Sequence, residues 1–259
     1  MNNLDTPLWS TDGGKVLHLG RPVRGADPKT FEPLLGTWAR DARHVYQGPF
    51  RCPKIDRNTF RPLNAIFGID AAHAYCGGSP ICDAEAGSFR TLDAGLQHNE
   101  ARGAAGTFLP LGYAADARNV WCCGTDGFFR LKDADAGSFV SFCNGFGKDK
   151  QRIYHEHARI NGADLVTWRP WRGLHSIDQT HVFWTSKKVK LVDRRSLVLL
   201  GHRDCFMDRN RLYCADYPIS VKEYLGHLAR DEDSLMQERI RVETGVVFDR
   251  LLSEWPQVV

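Results

Sequence analysis

Residues 41–60 read DARHVYQGPFRCPKIDRNTF and residues 149–168 read DKQRIYHEHARINGADLVTW. Both open on Asp and place an aliphatic–aromatic pair four and five positions later, Val45-Tyr46 and Ile153-Tyr154. Both carry a second Asp at offset 15, Asp56 and Asp164, followed three residues on by Thr and then a bulky ring, Phe60 or Trp168. A pattern shared by segments so far apart is the mark of an internal repeat, and a repeat decides the fold before any single residue does.

Working outward, the leading Asp and its aromatic recur. Asp70 leads to Tyr75, Asp116 to Trp121, Asp178 to Phe183 and Asp208 to Tyr213, with a weaker first copy at Asp12. The leading acids from Asp12 to Asp208 are 29, 29, 46, 33, 29 and 30 residues apart. The second motif, acid-x-x-Ser/Thr-bulky, recurs as Asp27-Thr30-Phe31, Glu85-Ser88-Phe89, Asp135-Ser138-Phe139 and Asp193-Ser196-Leu197. An apolar residue follows three later at Leu34, Leu63, Leu92, Phe142, Trp171 and Leu200. Extra residues enter at 93–112 and again near 122–131.

The residues predict local structure. The aliphatic–aromatic pair, a short turn and an isolated apolar residue (Val23, Ile81, Ile160, Val189) read as two short strands joined as a hairpin. The leading Asp suits the turn entering the first strand, and the second acid suits the N-cap of a single helical turn. One such unit cannot bury its apolar face alone, so neighbours must stack. The expected fold is mainly β: tandem hairpin-plus-turn units in an open solenoid-like or ring-like array over residues 1–217, with a C-terminal α-helical cap over 218–259. The cap is read from two capping boxes, Ser220-x-x-Glu223 and Ser234-x-x-Gln237, with helical spacing after each and a charged break at 231–233.

Three strings, GADPKTFEPL (25–34), KDKQRIYHE (148–156) and NGADLVTW (161–168), resemble the DKNYY repeat family of bacteria. Its Asp-Lys-Asn-x-Val-Tyr-Tyr segments alternate with Gly-Ala-Asp-x-x-Thr-Phe-x-x-Leu segments. The resemblance covers roughly residues 12–217, although no unit reads DKNYY outright. It implies a repeat architecture and a bacterial origin, and it brings no catalytic residues with it.

Composition bounds the function. A chain of 259 residues with 42% hydrophobic and 25% charged content is ordinary for a globular protein, and a net charge of +3 argues for neither a nucleic-acid nor a membrane-surface partner. The N-terminus shows no secretory pattern, and eight cysteines without a C-x-x-C spacing read as free thiols. The expected location is the cytoplasm.

Motifs of chemically active residue types are outnumbered by the repeat. Asp133-Ala-Asp135-Ala-Gly137 has calcium-loop spacing but lacks the remaining ligands. His155-Glu156-His157 offers two imidazoles on one face of a strand, with no third ligand legible. His44, His73 and His181 share a slot held elsewhere by Lys15, Asn119, Arg152 and Arg211, which reads as a solvated turn. Lys187, Lys188, Lys190, Arg194 and Arg195 form the densest basic cluster, and it too reads as a solvated face. No phosphate loop, G-x-S-x-G or H-E-x-x-H occurs.

A single active site needs a unique constellation, whereas these acids occur six times over. The expectation is a non-enzymatic protein-binding repeat protein without catalytic, cofactor or metal residues, in particular an immunity protein that neutralises a cognate bacterial toxin. A metal-dependent hydrolase using His98, His155, His157 or His202 and a structural cell-envelope protein are the alternatives. Partner contact is expected at the insertion, through His98, Asn99, Glu100 and Arg102, and at an aromatic–basic patch of Trp168, Arg169, Trp171 and Arg172.

Overall fold

The computed structural model describes residues 8–98, 108–200 and 204–228. It is mainly β, a succession of small antiparallel sheets, and none of those described closes into a barrel. The chain divides into two compact units, Met1–His157 and Ala158–Val259. That division falls inside the repeat array. The change from strand to helix comes later, between the strand Tyr217–Ile219 and the helix Val221–Leu228.

In the first unit, sheet 1 holds Trp9–Asp12, Lys15–His18 and Arg21–Pro22. Sheet 2 holds Glu32–Pro33, Trp38–Arg40, Val45–Gln47 and Phe50–Arg51. Sheet 3 repeats this with Arg61–Pro62, Phe67–Ile69, Ala74–Cys76 and Ser79–Pro80. Sheet 4 holds Arg90–Thr91, Gly112–Ala115, Val120–Gly124 and Gly127–Arg130, and sheet 5 contributes Val140–Ser141, Phe146–Lys148 and Ile153–His155.

The module is therefore a four-stranded meander, not a two-stranded hairpin, and the leading Asp occupies the turn between the second and third strands. The outer strands escape a pattern search because they are two residues long and often contain proline, as in Arg21–Pro22, Glu32–Pro33, Arg61–Pro62 and Ser79–Pro80. An edge strand tolerates Pro because its missing N–H need face no partner. The expected helical turn shrinks to three-residue 3-10 turns at Ala86–Ser88 and Arg194–Ser196, and elsewhere to simple turns such as the Thr30 N–H bond to the Asp27 carbonyl.

Alternation along the two central strands builds the layers. Tyr46 and Ala39 of sheet 2 pack with Val16 and Val23 of sheet 1, whereas Val45 and Trp38 pack with Phe60 and Tyr75 of sheet 3. Ala74 and Phe67 of sheet 3 meet Ala114 and Trp121 of sheet 4. Val120 and Ala115 of sheet 4 meet Tyr154 of sheet 5. In this unit Tyr46, Tyr75, Trp121 and Tyr154 thus point to the preceding sheet, and Val45, Ala74 and Val120 to the following one. The residue paired with the aromatic is small: Ala39 against Tyr46, Gly68 against Tyr75, Ala114 against Trp121 and Gly147 against Tyr154. The ring of the second motif takes the vacated space, so a Cβ on Gly68 would lie 2.5 Å from the Phe60 ring, and one on Gly147 2.4 Å from Phe139.

The second unit begins at Ala158–Arg159. Its sheet 6 holds Arg169–Arg172, His175–Ile177, Val182–Trp184 and Lys187–Lys188, and its sheet 7 holds Val198–Leu199, Cys205–Met207, Leu212–Cys214 and Tyr217–Ile219. Ile177 and Val182 face Phe206 and Tyr213 across one layer. The far face of sheet 7 (Cys205, Met207, Leu212, Cys214) receives Tyr224 of the helix. The predicted capping box closes that helix: the Ser220 hydroxyl accepts from the Glu223 N–H at 3.2 Å and the Glu223 carboxylate accepts from the Ser220 N–H at 2.7 Å. The second predicted helix and the charged break at 231–233 lie outside the described residues. Among the described residues no helix is long and apolar enough to cross a membrane.

Candidate functional site

The recurring acids are used up by the backbone. Asp41 is fully buried, and one of its carboxylate oxygens accepts from the N–H groups of Arg43 and His44, both at 2.7 Å. The other accepts from the Tyr46 hydroxyl at 2.7 Å and from the Asp27 N–H, fourteen residues upstream, at 3.1 Å. Asp70 repeats all four bonds with Ala72, His73, Tyr75 and Asp56. Asp116, Asp149, Asp178 and Asp208 likewise accept from two turn amides and one upstream amide, that of Glu85, Asp135, Asp164 and Asp193 respectively.

The second motif closes the same ring. The Thr30 hydroxyl donates to Asp27 at 2.9 Å and accepts from the N–H of Ala42, the residue after Asp41, at 3.0 Å. The same pair of bonds recurs at Thr59, Ser88, Ser138, Thr167 and Ser196. The two motifs are halves of one hydrogen-bonded clasp between the segment entering a sheet and that sheet's central turn. Burial by itself would raise the Asp41 carboxyl, but the bonds from Tyr46, Arg43, Asp27 and His44 outweigh it and hold the group at about 2. Asp178 is held at about 2 against the same burial by the Asp164, Thr180 and His181 donors. A carboxylate saturated in this way has no proton or lone pair to offer a substrate.

The unique features gather at sheet 4. The insertion lies between its first two strands, where Leu96–His98 and Phe108–Pro110 pair as an extra hairpin. Its base is anchored by Asp93, whose carboxylate accepts from Gly95 N–H at 2.9 Å, Tyr113 N–H at 2.7 Å and the Ser141 hydroxyl of sheet 5 at 2.7 Å. The later interruption lengthens the last two strands, Val120–Gly124 and Gly127–Arg130, into a second projecting hairpin. Its tip is tied to Glu156, whose carboxylate accepts from the Thr125 N–H at 2.9 Å and hydroxyl at 3.0 Å. Glu156 sits at φ +49°, a left-handed position held by Gly48 and Gly77 in sheets 2 and 3. The buried Tyr113 hydroxyl reaches the carbonyls of Gly145 at 2.6 Å and Glu156 at 2.8 Å.

The other sequence candidates separate. The left-handed Glu156 ends the strand, so His155 and His157 do not share a strand face: His155 is buried beside the Phe146 ring, and His157 is exposed and stacked on Phe129. Burial pushes the His155 imidazole down to about 4. Asp135 of the calcium-like loop accepts from Ser138 and Gly137 and pairs with Lys150 at 2.7 Å. Among the described residues no cluster of three or more His, Cys, Asp or Glu is arranged to hold a metal. His44, His73 and His181 sit in the Asp turns, beside Asp41, Asp70 and Asp178. Of the expected partner-contact residues, His98 ends the first strand of the extra hairpin, and Asn99, Glu100 and Arg102 lie outside the described residues. Trp168 is buried, Trp171 packs against the Ile177–Phe206 cluster, Arg172 donates to the Leu200 carbonyl, and Arg169 is exposed. His202 is outside the described residues. Sequence reasoning passed over Asp93, Thr125 and Glu156, and the only sequence sign of Glu156 was an acid in a slot where the units of Asp41 and Asp70 hold Gly48 and Gly77.

The DKNYY family model matches residues 38–172, more than half of the chain. The chain belongs to the DKNYY family. The matched span runs from Trp38 of sheet 2 to Arg172 of sheet 6, and the clasp of this DKNYY protein continues past it at Asp178 and Asp208. No curated protein and no solved structure matches the chain.

Proposed function

We propose that this DKNYY protein is a non-enzymatic, protein-binding repeat protein, and specifically an immunity protein that neutralises a cognate bacterial toxin from the cytoplasm. We read its sheets as a solenoid-like array with helices capping the C-terminal end. The observation that supports binding over catalysis is the engagement of all six recurrent acids by three backbone amides each, with a hydroxyl donor added at five of them. The extra hairpin is an addition to the repeat that the clasp does not constrain, and loops added to a repeat scaffold are where partner choice resides. The contact set in this reading is His98, Asn99, Glu100 and Arg102 of the insertion, with Trp168, Arg169, Trp171 and Arg172 as a second patch; Arg169 is its exposed member. No nucleic acid, membrane or cofactor enters it.

The test is co-purification of the tagged full chain from its host, identification of the partner by mass spectrometry, and repetition with residues 95–110 replaced by a short turn. Stoichiometric capture lost on replacement supports the reading. Tight binding that survives the replacement removes the hairpin from it, and stoichiometric metal in the purified protein with hydrolytic activity overturns it.

A further inference from the structure

Two cysteines of different sheets meet in the layer between sheets 3 and 4. Cys76 follows Tyr75 and points forward with Ala74; Cys123 lies two residues beyond Trp121 and points back with it. Both are half-buried against the same cluster of Ile66, Phe67, Ala74 and Trp121. Cys76 is paired across its sheet with Phe67 and Cys123 with Phe128, and those two rings lie 6.3 Å apart, so the thiols are neighbours across the layer. Their interaction lowers the Cys123 thiol below its ordinary value and pushes Cys76 up. The other cysteines differ. Cys52 and Cys122 are buried, and burial pushes the Cys52 thiol to about 11. Cys205 and Cys214 are cross-strand partners, but both are buried in the cluster that receives Tyr224. Cys82 and Cys143 are exposed. Cys76 and Cys123 thus combine thiol–thiol contact with partial access, the two conditions for rapid exchange.

We infer that Cys76 and Cys123 form a reversible dithiol site that exchanges with small-molecule disulfides of the glutathione type. The Cys123 thiolate attacks one sulfur of the small disulfide, whose S–S bond breaks; the departing thiolate takes up a proton equivalent to the one Cys123 released. The Cys76 thiolate then attacks the Cys123 sulfur of the mixed disulfide and expels the second small thiol in the same way. The protein loses two electrons and two protons, and one small disulfide becomes two thiols. The new bond ties sheet 3 to sheet 4 and closes the chain from 76 to 123, which contains the extra hairpin. It stiffens the base of that hairpin and restricts the unfolded chain.

The test uses the full chain carrying C82S and C143S, which leaves six of the eight cysteines. The folded protein is equilibrated across a series of oxidised-to-reduced glutathione ratios, quenched, denatured, alkylated and mapped by mass spectrometry. The expected result is a fall from six alkylated cysteines to four, a peptide joining Cys76 to Cys123, full reversal by reduced glutathione, and a higher melting temperature for the linked form. In C123A the linked peptide disappears. Six alkylated cysteines throughout the series, a link formed between Cys205 and Cys214 instead, or a Cys76–Cys123 link that appears only after denaturation overturns the inference.

Discussion

Sheets 2 and 3 differ from sheet 4 in what they hold fixed. In sheet 3 the buried Asp70 reaches an amide 14 residues upstream, whereas in sheet 4 Asp116 reaches one 31 residues upstream. The difference of 17 equals the excess of the 46-residue interval over the usual 29. The extra chain lies entirely within the loop that the clasp closes, and the clasp keeps its three amide bonds. Loop closure entropy grows slowly with length, so a clasp made of several buried hydrogen bonds can close a longer loop at modest extra cost. The module is defined by its Asp turn, and the opposite end is free to grow.

The largest effect that tests this equivalence comes from removing the acid. D70A and D116A each remove the buried acceptor of three turn amides, and a loss of about 3–5 kcal/mol is expected in urea unfolding for both. A much smaller loss for D116A would show that the long loop has weakened its clasp. Filling the space under the ring comes next. G68A and G147A place a methyl group against Phe60 and Phe139, for an expected loss of about 1–3 kcal/mol each by thermal melting. Removing one donor is milder. Y75F deletes the phenol bond to Asp70, with about 1–2 kcal/mol expected, and sheet 4, with Trp121 in that slot, has no equivalent bond to lose. The smallest change concerns the left-handed turn. A215G, at φ +54°, should stabilise by roughly 0.5 kcal/mol.

Acid should separate two groups by pH. His18, His155 and His175 are lowered by burial, so the unfolded chain binds more protons than the folded one below their ordinary value. Stability from them is full above about pH 6.5 and falls as pH drops toward about 4, the His155 value. Asp41, Asp70, Asp116 and Asp178 are depressed, so their contribution is present above about pH 4 and is lost as pH falls toward about 2. Stability measured from pH 7 to 2 should therefore decline in two stages. H155F keeps a buried ring and should shrink the first stage, to which His18 and His175 still contribute, and leave the second unchanged.

Much of the scaffold was legible because the residues the clasp uses are polar, spaced and repeated. Asp41 with Thr30, or Asp208 with Ser196, stands out against variable neighbours. The partner of each acid was not legible: both Asp41 and Asp27 read as isolated turn residues, since a hydrogen bond to a backbone N–H leaves no side-chain signature at the donor. The outer strands were hidden by their length and their prolines. At sheet 4 the insertion was visible as a broken period, but Asp93, Thr125 and Glu156 each occur once, and a unique polar contact has no repeat to betray it.

Amide hydrogen exchange on the unmodified chain tests the clasp most directly. The amides of Asp27, Asp56, Glu85, Asp135, Asp164 and Asp193 lie in turns near the surface, and each donates to a buried carboxylate. All six should exchange as slowly as amides of the central strands. Exchange at the rate of open turn amides, in sheets 2 and 3 as well as sheet 4, would contradict the account.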